Sequence, residues 1–269
     1  MKKSLLFLSL ALATTIAIVS CKKTEEQPKA EDPGIQVEKK NTALINKFTG
    51  SNCYYCGDWG WPMFEEIITE YHGKTAVCIG SYSQNQFANL FVTTAATAMD
   101  RRLPVTVGYP TFAANFNDAW NGTQTLEGMK TNISNAVNAH INASVVANSG
   151  LTYKIDGDNI IFNTRTKFFE AATGEFNLSV YVVEDKVIGN QSGPNGGPNA
   201  SHHKVLRAAN SDWGVGIVNG DVTADATFDK EVTIAKSSSW NMDNVEFVTI
   251  IWKKNGDKWD FVNAHLHKN

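Results

Sequence analysis

The apolar residues of this chain repeat with one period up to about residue 142 and with another beyond it. That change limits the fold more than any other feature. Residues 42–49 form a short apolar run with Ala43, Leu44, Ile45 and Phe48. Residues 56–72 carry Met63, Phe64, Ile67, Ile68 and Tyr71 on one stripe, which predicts a helix that Gly73 stops. Residues 74–81 read KTAVCIGS, a buried strand. Residues 86–101 place Phe87, Leu90, Phe91, Thr94, Ala95 and Ala98 at helical spacing, and Pro104 ends that region. A second β region spans 105–116. A third helix spans 126–141, with Leu126, Met129, Ile133, Val137 and Ile141 on one face. The order β-α-β-α-β-α predicts an α/β domain over residues 41–142.

From residue 145 onward apolar and polar residues alternate between turn signals. Strands are predicted in 151–155, 159–169, 176–184, 204–209, 226–234, 245–254 and 258–266, with a hairpin turn at Asp156-Gly157-Asp158. Strands of this length separated by Gly and Asn turns predict an antiparallel, immunoglobulin-like β-sandwich over residues 143–269. Within it, 189–203 (GNQSGPNGGPNASHH) reads as a long mobile loop. The fold class expected is α/β plus all-β.

The first 21 residues read as a targeting segment. Lys2 and Lys3 precede an apolar stretch over 5–19 that is too short to be a convincing spanning helix. Its end, Ile18-Val19-Ser20-Cys21, resembles the lipobox of bacterial lipoproteins, which implies that Cys21 is lipidated. Residues 22–40 then read as a charged flexible tether. The acidic pattern at 23–26 also resembles tags that send lipoproteins to the outer face. These features predict a chain tied to the cell envelope by a lipid anchor, in a space where disulfides persist. The net charge of -3 and pI near 6.1 give no electrostatic reason to expect nucleic acid as a partner.

Three cysteines then remain. Cys53 and Cys56 stand at a predicted strand-to-helix junction, where unpaired N–H groups and the helix dipole favour a thiolate. At that spacing the sulfurs reach each other. Cys53 is expected as the exposed attacking thiol and Cys56 as the resolving one. A structural disulfide is the alternative, although so small a loop removes little chain entropy. A metal site is disfavoured, because no second cysteine pair or histidine pair lies nearby at ligand spacing. Cys78, between Val77 and Ile79, reads as a buried free thiol. His202-His203 and His265/His267 read as ordinary surface histidines, and no cofactor motif stands out. Tyr109-Pro110-Thr111 places a proline at a strand head after an aromatic residue, which raises the chance of a cis bond. A cis proline there would face the cysteines and leave backbone groups free for an extended substrate.

Phe48-Thr49-Gly50, then Cys53-x-x-Cys56, then Pro110-Thr111, in a β-α-β-α-β-α order, resembles the thioredoxin fold. With the lipobox, the C-terminal β region and the run His202 to Ala209, the chain resembles the twenty-eight-kilodalton outer membrane protein family of bacterial lipoproteins. That resemblance implies a thioredoxin-like half followed by a β-sandwich. The chain departs from thioredoxins proper in having Asn52 before the pair and Tyr54-Tyr55 within it.

Two functions are therefore expected. One is thiol–disulfide exchange through Cys53 and Cys56, with Tyr109, Pro110 and Thr111 docking an envelope protein or peptide client. The other is a non-enzymatic surface or binding lipoprotein, in which the cysteine pair is inert and the β-sandwich recognises a partner. An exposed Cys53 facing a cis Pro110 supports the first; a buried pair supports the second.

Overall fold

The computed structural model describes residues 34–87, 90–103, 108–123 and 125–267. The expected signal segment, the lipidation site Cys21 and the tether up to residue 33 lie outside the described residues.

The first half begins with β1 (Ala43–Thr49), two helical pieces α1 (Tyr54–Gly57) and α2 (Gly60–Tyr71), and β2 (Ala76–Tyr82). β1 and β2 are parallel, from Ala43 opposite Ala76 to Thr49 opposite Tyr82, with α2 as the crossover. α3 (Thr94–Arg102) leads to β3 (Thr111–Ala114), antiparallel to β1, and the two-residue β4 (Asn117–Asp118). α4 (Leu126–Ile141) occupies the range that its apolar stripe predicts. α2 and α4 bury Met63, Phe64, Ile67, Met129, Ile133 and Val137 on one sheet face, whereas α3 buries Ala95, Ala96 and Met99 in a different cluster.

The second half contains β5 (Ala147–Asp156), β6 (Asn159–Phe168), β7 (Ala172–Glu184), β8 (Val187–Gln191), β9 (Gly197–His202), β10 (Val205–Ala209), β11 (Val215–Val222), β12 (Thr227–Ala235), β13 (Val245–Asn255) and β14 (Lys258–His267). β12, β6 and β5 form a three-stranded sheet. Its Leu151, Ile160, Phe162, Val232 and Ile234 pack against Val180, Val182 and Phe247 of β7 and β13. Two β layers thus enclose one core, as alternating strands require.

The sheet does not stop at the expected boundary. β14, β13, β7, β10, β2, β1, β3 and β4 follow one another in a single nine-stranded sheet, with β11 also on β7. The joint is β10 against β2, parallel at Val205 and Gly80, with the Gly80 N–H donating to the Lys204 carbonyl at 2.7 Å. A Cβ at Gly80 would stand 3.0 Å from the His203 carbonyl oxygen, so a residue without a side chain suits this approach. The core crosses the joint as well. Leu44, Phe48, Ile79 and Met99 share one cluster with Tyr181, Leu206, Val248 and Trp252, and residues 33–269 form one compact unit.

Four local expectations are corrected. The helix expected over 86–101 begins only at Thr94, because the Thr93 hydroxyl caps it by accepting from the Ala96 N–H at 3.1 Å. Phe87 and Phe91 instead pack their rings on Tyr109 and on Tyr82 and His202. The helix expected over 56–72 is broken at Asp58 and Trp59 into α1 and α2. The loop expected to be mobile, 189–203, lies largely within the β8–β9 hairpin, which is held down as described below. Residues 34–40, the end of the expected tether, are held too: Ile35 is buried, and the Glu38 carbonyl accepts from Asn148 Nδ2 at 3.0 Å.

Candidate functional site

Cys53 ends the turn after β1 and caps α1. Its backbone is extended (φ −86°, ψ 116°), and its Sγ accepts from the Cys56 N–H at 3.2 Å. The two cysteines form a disulfide, with Cα atoms 5.2 Å apart. Cys53 is only 2% exposed and Cys56 is fully buried, so the expectation of an exposed Cys53 is corrected. The residues between them behave in the opposite way. Tyr54 and Tyr55 are 57% and 59% exposed and stack edge to face on the surface.

The structure brings the cysteines and Tyr109-Pro110 together. The Tyr109–Pro110 peptide is cis, and Cys53 Sγ lies 3.5 Å from the Tyr109 carbonyl oxygen. Thr111 opens β3 opposite Phe48 and donates its hydroxyl to the Gly108 carbonyl at 2.6 Å. Asp100 on α3 anchors this segment: Oδ2 accepts from the Tyr109 hydroxyl and from the Ser83 hydroxyl, each at 2.5 Å. Burial and that carboxylate push the Tyr109 phenol up to about 12. The period of α3 placed Asp100 on a helix, but no signal in the sequence pointed it at Tyr109.

Beside Pro110 lies a cleft of about 520 Å3, walled by Tyr55, Trp59, Tyr109, Pro110, Trp120 and Leu126. Trp59 and Trp120 meet edge to face at 5.8 Å. Its size and apolar aromatic walls suit an extended side chain or peptide segment. Gly60 permits the wall to close, since a Cβ there would stand 2.4 Å from Pro110 Cγ.

The β8–β9 hairpin covers the other side of the pair. Gln191 Nε2 donates to the carbonyls of Gly50 (3.3 Å) and Cys53 (3.1 Å). The Ser192 N–H donates to the Ser51 carbonyl at 2.8 Å. Asn195 donates its N–H to the Gly57 carbonyl at 3.0 Å and its Nδ2 to the Asp58 carbonyl at 2.8 Å. A Cβ on Gly57 would stand 1.9 Å from the Ser192 carbonyl oxygen, so backbone meets backbone. From the opposite side the Asn52 N–H donates to the Phe87 carbonyl at 2.8 Å. Gln191, Ser192 and Asn195 are the residues that sequence reasoning missed. Their Gly/Asn/Pro surroundings announce a loop and say nothing of what it covers.

His202, His203 and Lys204 lie at the joint of the two halves. His202 Nδ1 is 2.5 Å from the Tyr82 hydroxyl. His203 Nδ1 is 2.9 Å from Asp185, and Lys204 Nζ is 3.0 Å from Glu246, which also meets His72 Nε2 at 2.9 Å. Against desolvation, the hydrogen bond from His203 and the charge of Lys204 hold the Asp185 carboxyl down at about 2. A folded-state value below the unfolded one stabilises the fold above the unfolded value near 3.8, and that gain is lost as pH falls from there towards 2. Urea unfolding between pH 5 and pH 2 should therefore lose about 1 kcal/mol through Asp185, after allowance for its partial exposure, and Asp185→Asn should flatten that part of the profile.

Cys78 is free and buried, with burial pushing its thiol up. Its N–H donates to His72 Nδ1 at 3.0 Å. Among the described residues no group of three His, Cys, Asp or Glu converges as a metal set, and no helix is long and apolar enough to cross a membrane.

No family model matches the chain, and no curated protein matches it. Solved structures do. HBP35 of Porphyromonas gingivalis superposes with a TM-score of 0.67 at 14% identity, over 86% of this chain and 76% of that one. A protein of Agrobacterium tumefaciens gives 0.50 at 12% identity, over 85% and 95%. A domain of the outer membrane lipoprotein Omp28 from P. gingivalis gives 0.32 at 21% identity, over 46% and 88%. At these identities the first two likenesses show a shared fold. They extend across both halves of the chain.

Proposed function

We propose that this chain is an envelope lipoprotein, anchored through Cys21, whose thioredoxin-like half carries out thiol–disulfide exchange at Cys53 and Cys56. The carrying observation is Cys53 Sγ 3.5 Å from the carbonyl of Tyr109, a residue that lines the cleft beside Pro110. A client thiolate attacks Cys53 Sγ. The S–S bond breaks, and Cys56 leaves as a thiolate that takes up a proton. A second client thiolate then attacks the client sulfur and releases Cys53. Two electrons pass from client to protein, and the client departs with a disulfide. The reverse sequence reduces a client disulfide. Tyr109, Pro110 and Thr111 offer backbone groups to an extended segment, and Trp59 and Trp120 take its apolar side chains. The immunoglobulin-like strand half contributes the β8–β9 hairpin, which governs access to the pair.

One observation favours the second reading, a non-enzymatic binding lipoprotein: both cysteines are buried beneath that hairpin. The reduction potential separates the two. Equilibration of the full chain in glutathione buffers, followed by alkylation, should give roughly −270 to −120 mV with Cys53 modified first if the pair exchanges. A potential below about −300 mV, or thiols reactive only in denaturant, would assign a structural disulfide. Neither outcome bears on the anchor, which is tested by mass spectrometry of the mature N-terminus.

A further inference from the structure

Lys39, Lys40 and Lys74 line one recess of about 290 Å3, together with Asn41, Thr75 and Asn142. Among the described residues no carboxylate lines it. All three lysines are exposed. Lys130, Lys167, Lys204 and Lys254 each meet a carboxylate, whereas among the described residues Lys39, Lys40 and Lys74 meet none. Lys40 Nζ stands 3.5 Å from the Lys74 carbonyl, Lys74 Nζ donates to the Thr69 carbonyl at 2.7 Å, and Lys39 Nζ lies 5.9 Å from the Phe169 ring centroid. An ammonium carries three protons, so each lysine keeps donors for a further acceptor. The flanking carboxylates are engaged elsewhere: Glu170 accepts from the Ser144 hydroxyl at 3.1 Å, and Glu38 acts on His265. The C-terminal carbonyls of α4 would oppose an anion, but Asn41 Nδ2 occupies those of His140, Ala143 and Ser144.

The backbone that carries Lys39 and Lys40 is fixed on the fold, since the Glu38 carbonyl accepts from Asn148 Nδ2 and the Lys40 carbonyl from Asn263 Nδ2 at 2.9 Å. Lys40 precedes β1 and Lys74 precedes β2. Both therefore stand at the opposite end of these parallel strands from the turn that carries Cys53. α4 covers the same span, with Leu126 in the wall of the cleft beside Pro110 and Ile141 in the wall of the recess. By strand rise and by helix rise the two ends are about 23 Å apart. The recess also lies within reach of the expected lipidation site at Cys21. Residues 22–33 cover at most about 40 Å when fully extended, and Lys39 and Lys40 follow shortly after.

We infer that the recess between Lys39, Lys40 and Lys74 takes the phosphate of an anionic lipid headgroup, so that this end of the fold docks on the bilayer that carries the anchor. The inference rests on the anchor reading above for the membrane and on the recess for the chemistry. Docking by this end turns the cysteine pair and the cleft beside Pro110 away from the bilayer, towards soluble clients.

The test is acylation of the mature lipidated chain on vesicles at low salt, with an uncharged reagent and mass spectrometry to read each lysine. On vesicles of equal parts phosphatidylcholine and phosphatidylglycerol, Lys39, Lys40 and Lys74 should react about tenfold more slowly than on phosphatidylcholine alone, within the roughly hundredfold that three lysines supply at an anionic surface. High salt should remove the protection. Lys130, near the cleft end of α4, should react equally on both vesicles. In the Lys40→Gln, Lys74→Gln double variant, Lys39 should regain its phosphatidylcholine rate. Equal rates at the three lysines, equal slowing at Lys130, or slowing at Lys39 that survives the double substitution would each overturn the proposal. Protection by inorganic phosphate on phosphatidylcholine vesicles would also overturn it, assigning the recess to a soluble phosphate compound. Loss of the chain from phosphatidylcholine vesicles would instead refute the anchor. The recess is then read from retention on the phosphatidylglycerol vesicles, which should disappear in the double variant; no retention there would overturn the recess too.

Discussion

Trp252→Ala should lower the stability of the chain by about 3–5 kcal/mol and unfold both halves in one transition. Trp252 is fully buried on β13, donates Nε1–H to Ser179 Oγ at 2.9 Å, and meets the rings of Phe116, Trp213 and Phe261. Phe116 belongs to the first half, and Trp252 shares a cluster with Leu44, Phe48, Val77 and Ile79 of β1 and β2. Truncation leaves a cavity that these neighbours fill only in part. The midpoint should fall by about 10 °C. Near-ultraviolet circular dichroism and amide exchange of β1 and β2 should follow the same curve as exchange of β7 and β13. Two independent halves would instead leave β1 and β2 protected while β7 and β13 open. That outcome would mean that the shared sheet adds no cooperativity.

Gln191→Ala should accelerate reduction of Cys53–Cys56 by a small dithiol about ten- to thirtyfold. Cys53 is 2% exposed, so reduction waits on an opening of its cover. The Gln191 amide holds the Gly50 and Cys53 carbonyls, and each such bond contributes about 1 kcal/mol. Losing both raises the open population by roughly one to one and a half powers of ten. Asn195→Ala removes the bond to the Asp58 carbonyl alone and should accelerate reduction less. An unchanged rate in Gln191→Ala, with the wild-type pair already reducible, would show that the hairpin does not limit access. A pair that resists dithiol in both proteins would count against exchange chemistry itself.

Legibility in the sequence followed the range of the interaction. α4 was readable to the residue because its stripe is local and uninterrupted and Thr125 caps it. α3 was read eight residues too early, because Phe87 and Phe91 fit helical spacing yet serve contacts with Tyr109, Tyr82 and His202. β13 and β14 were readable from alternation, whereas β8 and β9 were hidden by glycine, proline and asparagine. In this short hairpin the pairing is decided by what it packs on.

The candidate site divides in the same way. Cys53, Cys56, Tyr109, Pro110 and Thr111 were named from residue type, spacing and a family resemblance, and the fold brings them within reach of one another. Asp100, Gln191 and Asn195 carried no local signal, since a lone aspartate or amide gains a role only from the carbonyl or hydroxyl that faces it.

The sequence by itself determined the elements whose pattern is short-range: the parallel β1–β2 unit around a helical crossover, the cysteine pair at a strand-to-helix turn, and the alternating strands beyond residue 142. Only the tertiary structure decided that β10 adds to β2 and makes one sheet of two halves, that the cysteines are buried, and that a hairpin more than a hundred residues away covers them. The physical reason is that periodicity records which face of an element is apolar. It does not record which distant backbone will satisfy the hydrogen bonds at that element's edge.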